Sequence, residues 1–190
     1  MLRLTPAGIV ALALCVTPAL AEPLTGKEAK KLVFAPIIAE VEVMAEAGLP
    51  ADQAEVLKTV GVSQPYYGAI AIAPDEGLMS EATVAAANFH DTGSASAAAL
   101  AECNAKKKTP TDCVIAAYIR PAGWNDAGFS LSSDATTALE EYARRKGALA
   151  ISPTTGAFGM AKGDTAVEQA LTNCAAKNEK ATDCVVAVQD

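Results

Sequence analysis

Two cysteine pairs with identical spacing constrain this chain more than any other feature. "CNAKKKTPTDCVIAA" runs from Cys103 to Ala117, and "CAAKNEKATDCVVAV" runs from Cys174 to Val188. The match continues upstream, where "GAIAIAPDEG" at Gly68 answers "GALAISPTTG" at Gly147. A fainter echo pairs "LPADQAEVL" from Leu49 with "LSSDATTAL" from Leu131. The first copy is longer between its glycine and its cysteine, and the extra residues fall around "AAANFHDTG". The chain is therefore read as a duplication, 49–118 and 131–190, joined by 119–130 and preceded by a segment 22–48.

Each copy has one local grammar. "AIAIA" and "ALAIS" are apolar strand runs that end in turn residues. "LMSEATVAA" and "AFGMAKG" are the returning strands. Val167, Ala170, Leu171 and Cys174 then follow helical spacing behind a cap at Asp164, and Ser96, Ala99, Leu100 and Cys103 hold the same register. Lysine-rich turns close both helices, complementing the helix dipole. A final strand starts at Cys113 or Cys184. The reading for each copy is strand–strand–helix–strand.

That order decides the cysteine pairing. The first cysteine of each pair lies on the apolar stripe of its helix. The second alternates onto one strand face with Ile115 and Ala117, or with Val186 and Val188. Packing the stripe on that face joins Cys103 to Cys113 and Cys174 to Cys184. Each bond would contribute about 2–3 kcal/mol by loop entropy. The other strand face, Val114, Ala116 and Tyr118 or Val185 and Ala187, also needs cover. "KEAKKLVFAPIIAEVEVMAEAG" is expected to supply it as helix, with a capping box at Thr25 and Glu28 and a break at Pro36. The fold class expected is α+β: a mixed or antiparallel sheet, N-terminal helices and two disulfides within the copies.

The first 21 residues read as a signal peptide. They have Arg3, an apolar run from Gly8 to Val16, and Ala19 and Ala21 in the A-x-A pattern of a cleavage site. The run is far shorter than the ~20 residues of a membrane span, so the mature chain is expected to have no transmembrane anchor. Cys15 follows the bulky Leu14, which does not suit lipid attachment. Its loss with the leader turns five cysteines into four, an even number bound for an oxidising periplasmic or secreted location. The formal net charge of −7 and the single histidine do not suit a nucleic-acid partner.

The strand "GALAISPTTGAFG", the helix "AVEQALTNC" and the strand "TDCVVAV" resemble the secreted bacterial family catalogued as domain of unknown function 4189. The resemblance is closest over 147–188 and looser over 68–118. It implies an exported domain of this fold and transfers no catalytic residue. A further cysteine-containing segment common in that family has no counterpart after Asp190.

Reactive constellations are sparse. His90 is a candidate general base, with Asp91 to orient it and Ser94 or Ser96 as nucleophile, against the plainer reading of a polar loop histidine. "DTG" at Asp91 matches the aspartic-protease tripeptide, but the second copy offers only "KGDTAVE", and a helix cap explains both. Asp75 and Glu76 are at most a weak calcium site, otherwise a solvated turn. Nine residues between cysteines suit a staple rather than a redox pair. No phosphate-cradling glycine loop is present, and no metal or cofactor is expected. Trp124 in "RPAGWNDAG" is either an exposed anchor or a plug between the copies. The favoured function is a non-catalytic module that binds a protein or another cell-envelope component. A small hydrolase built on the His90 loop is the alternative, followed by a structural or stress-related secreted protein.

Overall fold

The structure is a computed structural model that describes residues 22–36, 38–142 and 146–190; the expected signal peptide lies outside the described residues. In chain order the elements are α1 (Gly26–Leu32), β1 (Ala39–Val43), a 3-10 turn (Ala45–Ala47), α2 (Ala51–Gly61), β2 (Gly68–Ile72), β3 (Val84–Ala86), α3 (Thr92–Lys106), β4 (Val114–Pro121), α4 (Ser133–Glu140), β5 (Gly147–Ile151), β6 (Phe158–Lys162), α5 (Ala166–Ala175) and β7 (Val185–Gln189). Each copy forms a separate antiparallel sheet, β1-β4-β2-β3 for the first, with β1 added from the preceding segment, and β6-β5-β7 for the second. The strand–strand–helix–strand order holds in both. No described helix is long and apolar enough to cross a membrane.

Both copies are three layers deep. In the first, α3 lays Ala95, Ala99 and Cys103 on Ala69, Ala71 and Ala73. On the opposite face Leu57 of α2 and Ala47 of the 3-10 turn cover Ile70, Ile72 and Ile119. In the second, α5 brings Ala170 and Cys174 to Ala148 and Ala150. Ala29 of α1, with Leu131, Ala135 and Leu139 at α4, covers Leu149 and Val188. Alanine faces permit very close helix–sheet approach. At Gly159 of β6, an added Cβ would stand 2.3 Å from both the Ala170 carbonyl oxygen and the Cys174 nitrogen of α5.

Cys103 bonds to Cys113 and Cys174 to Cys184, with Cα atoms 6.2 Å apart in each pair. The strand faces around them differ from simple alternation. The β2–β4 register shifts between Ile70 and Ala71, and the β5–β7 register shifts between Leu149 and Ala150. Each shift is a bulge that leaves Ala116 or Ala187 unmatched in the ladder and flips the residues beyond it. Cys113 and Ile115 thus face α3 together with Tyr118, while Ala117 joins the opposite core. Val188 likewise leaves the α5 side for the core under α1 and α4.

The N-terminal segment corrects the helical expectation. The capping box forms, with Glu28 N–H on Thr25 Oγ1 at 3.3 Å and Thr25 N–H on the Glu28 carboxylate at 3.0 Å. The helix ends at Leu32, before Pro36. "AEVEV" then becomes β1 on the outer edge of β4, with Ala39, Val41 and Val43 less exposed than Glu40 and Glu42. Its period-two pattern of β-branched residues outweighs the helix propensity of the flanking Ala and Glu. Cover for the first sheet comes from α2 instead. Two further differences are local. β4 runs to Pro121, three residues past the expected end of the first copy, and Asp164 pairs with Lys146 while Thr165 stands at the start of α5.

Candidate functional site

The insertion of the first copy is where the two copies lock together. His90 is 3% exposed, and both ring nitrogens are engaged by the second copy. Its Nδ1 accepts the Ser132 N–H at 3.0 Å, so the ring proton sits on Nε2 and is donated to the Ala157 carbonyl at 3.1 Å. Burial pushes its pKa below the ordinary value, only partly offset by the Ala157 carbonyl and by the negative charges of Asp91 and Asp183. The same junction includes Asn88 paired with Asp134, 2.7 Å from amide nitrogen to carboxylate, and Ser133 N–H on the Tyr66 carbonyl at 3.0 Å. Gly156, at φ +73°, lies so close that an added Cβ would be 2.3 Å from the Asn88 carbonyl oxygen.

The other catalytic candidates are not gathered around this imidazole. Asp91 caps α3: one carboxylate oxygen accepts the Ser94 N–H at 2.7 Å and the other the Ser94 hydroxyl at 2.9 Å. Ser96 donates its hydroxyl to the Thr92 carbonyl at 2.6 Å. The "DTG" tripeptide is therefore a helix start, and His90 has no hydroxyl to activate. A serine and an aspartate do lie near it, but they serve a turn. Buried Ser152 bonds to Asp183, which also takes the Thr154 N–H at 3.0 Å. In the first copy Glu76 does the same work, accepting the Thr109 N–H at 3.0 Å and the Ser80 hydroxyl at 2.7 Å. Asp75 meets the Thr111 hydroxyl. Among the described residues no group of three or more His, Cys, Asp or Glu is arranged to hold a metal ion.

A groove of about 720 Å³ runs along β7, lined by Leu24, Leu32, Phe129, Ile151, Leu171 and Val185. Its volume lies within the range of ordinary ligand sites and its lining is mainly apolar. Sequence reasoning missed it because no motif marks it. It arises from a difference between the copies. On β4 the corresponding place is filled by the chain itself: Met44 N–H bonds to the Ala116 carbonyl at 2.9 Å, and Ala47 and Leu49 pack over Ile72 and Val114. On β7, among the described residues, only Leu24 takes that role, its N–H on the Ala187 carbonyl at 3.0 Å. Ile72, Cys113 and Ala116 are buried, whereas Ile151, Cys184 and Ala187, their counterparts, are partly exposed.

A second, polar cavity of about 250 Å³ lies across the loop Ala127–Phe129, which lines both spaces. Trp124 is at its rim, 39% exposed, with the Arg120 guanidinium 4.6 Å from its ring centre. It is exposed, as the anchor reading has it, rather than a plug between copies, and the stack holds it against β4. No protein-family model matches the chain, and neither curated proteins nor solved structures show a match.

Proposed function

We propose that this is an exported, non-catalytic binding protein of the cell envelope that takes an extended apolar segment of a protein partner into the groove along β7. One observation carries the reading. On β4 this place is filled by residues 44–49, nearly all from the segment before the first copy, whereas among the described residues the equivalent apolar surface along β7 is left open beyond Leu24. An extended segment laid against a strand edge gains backbone hydrogen bonds there, and its side chains enter the apolar lining. The two disulfides and the leader-like first 21 residues support export, as does the resemblance of 147–188 to a secreted family.

The test is capture from the native periplasm with disulfide-intact protein, in parallel with a Leu32→Glu, Leu171→Glu variant. A partner retained by the parent and lost by the variant, with the variant's melting transition kept within a few degrees, supports the groove. Equal capture by both proteins contradicts it.

A further inference from the structure

The polar cavity beside Trp124 has no part in the groove reading and stands independently of it. Tyr67 lies at its inner end. The residue is 3% exposed and lines the cavity, and its hydroxyl proton has no acceptor among the described residues. Burial pushes its pKa up to about 12, with the neighbouring Tyr66 phenol and the carboxylates of Asp126 and Asp91 adding to the effect. The phenol is therefore a permanent O–H donor. The Trp124 indole N–H beside it works the other way and lowers that pKa; being a donor only, it leaves the phenol proton free. A held phenol ring with a free O–H on a cavity wall offers a fixed donor to a ligand atom.

The rest of the lining selects the ligand's chemistry. Thr92, Asn125 and Ser130 offer two hydroxyls and an amide, none of them engaged by another described side chain. Asp126 accepts the Gly128 N–H through Oδ1 at 3.0 Å and keeps Oδ2 available. Both oxygens of Asp91 are taken by Ser94, so Asp126 supplies the one uncommitted carboxylate. No lysine or arginine lines the space, which disfavours an anion, and a single screened carboxylate is weak support for a cation. What remains is a neutral molecule rich in hydroxyls with a face that can lie against an indole. The volume is below that of sites for drug-sized ligands and suits about one ring.

We infer that this cavity is a saccharide subsite: it takes one pyranose ring of a glycan, with Tyr67, Asn125 and Asp126 bonding its hydroxyls and Trp124 lying along its C–H edge. The site is pre-formed, since Arg120 stacks on both Trp124 and Tyr118 and pairs with Glu42.

Trp124 is the sole tryptophan, so its fluorescence reports this cavity alone. Triacetylchitotriose, maltotriose and butylamine are titrated separately into the disulfide-intact protein, up to about 20 mM. Saturable change with at least one trisaccharide is expected. It should weaken at least about tenfold in Asp126→Ala and about three- to tenfold in Tyr67→Phe, the lost hydrogen bonds being to a charged and a neutral group. Asp126 is exposed, so its variant keeps the fold even if Tyr67→Phe does not. No response to either sugar overturns the inference. So does a response to butylamine alone, which would make this a cation site, or a sugar response that Asp126→Ala leaves unchanged.

Discussion

At His90 the ring nitrogens have opposite duties, Nε2 donating to Ala157 and Nδ1 accepting from Ser132. Protonation places a second N–H against the Ser132 N–H, so the junction tolerates only the neutral ring. The folded pKa lies below the unfolded value of about 6.5, so the unfolded chain binds the proton first. This contribution is complete above about pH 6.5 and is lost as pH falls through the depressed folded value. The carboxylates held below their ordinary values, Glu28, Glu76, Glu102, Asp112 and Asp183, withdraw their contributions only at lower pH. Thermal melts between pH 7.5 and pH 5 should show a falling transition that flattens in His90→Gln. An equal slope in both proteins would contradict the assignment. His90→Ala should cost roughly 2–4 kcal/mol in denaturant unfolding, from the orphaned Ser132 N–H and a cavity, while the Ala157 carbonyl keeps the Ser152 N–H. The sequence shows this histidine and its insertion, but not its role, because its partners are 42 and 67 residues away in the other copy. An insertion in one copy alone is the available hint: two copies that pack on each other need not be alike where they meet.

The elements were legible where one period dominated. The helix stripes ending in Cys103 and Cys174 follow from spacing, and so does each bridge. Removing either bridge, as Cys103→Ser with Cys113→Ser or Cys174→Ser with Cys184→Ser, should lower stability by about 2–3 kcal/mol and the melting temperature by about 5–10 °C. The bridges lie in different sheets and share no partner, so the two losses should add to within about 0.5 kcal/mol. The bulges at Ala116 and Ala187 were not legible, since an extra residue in a run of Val, Ile and Ala leaves hydrophobicity unchanged while reversing its faces. The segment after Pro36 was misread for a related reason: alanine and glutamate favour helix one by one, and only the alternation of "AEVEV" against the edge of β4 makes it a strand. Close helix–sheet contact gives a further test. Gly159→Ala should cost about 1–3 kcal/mol, because the new methyl meets backbone on both sides rather than a side chain that can turn away. A neutral result would mean that α5 can move off β6.

On the scale of the molecule, duplication explains both what is shared and what is open. Each copy staples its own helix to its own last strand, and the copies interlock through His90, Asn88 and the loops opposite them. The same duplication makes the groove visible, because the first copy shows what a filled version looks like. The segment before α1 runs beside it: Leu24 bridges to Val188 and the Gly26 N–H bonds to Asp190 at 3.1 Å. The groove was beyond sequence reasoning, since it depends on where Ala127–Phe129 run relative to β7 and no residue type announces that. The sulfur links close within each copy, and export is proposed from them and from the leader-like first 21 residues. Mass spectrometry of unreduced protein recovered from its native compartment, intact and after digestion, addresses this in one experiment. The expected result is a chain beginning at Glu22, with one peptide pair joined through Cys103 and Cys113 and another through Cys174 and Cys184. A chain that retains residues 1–21, free thiols at these positions, or a bridge between the copies would contradict it.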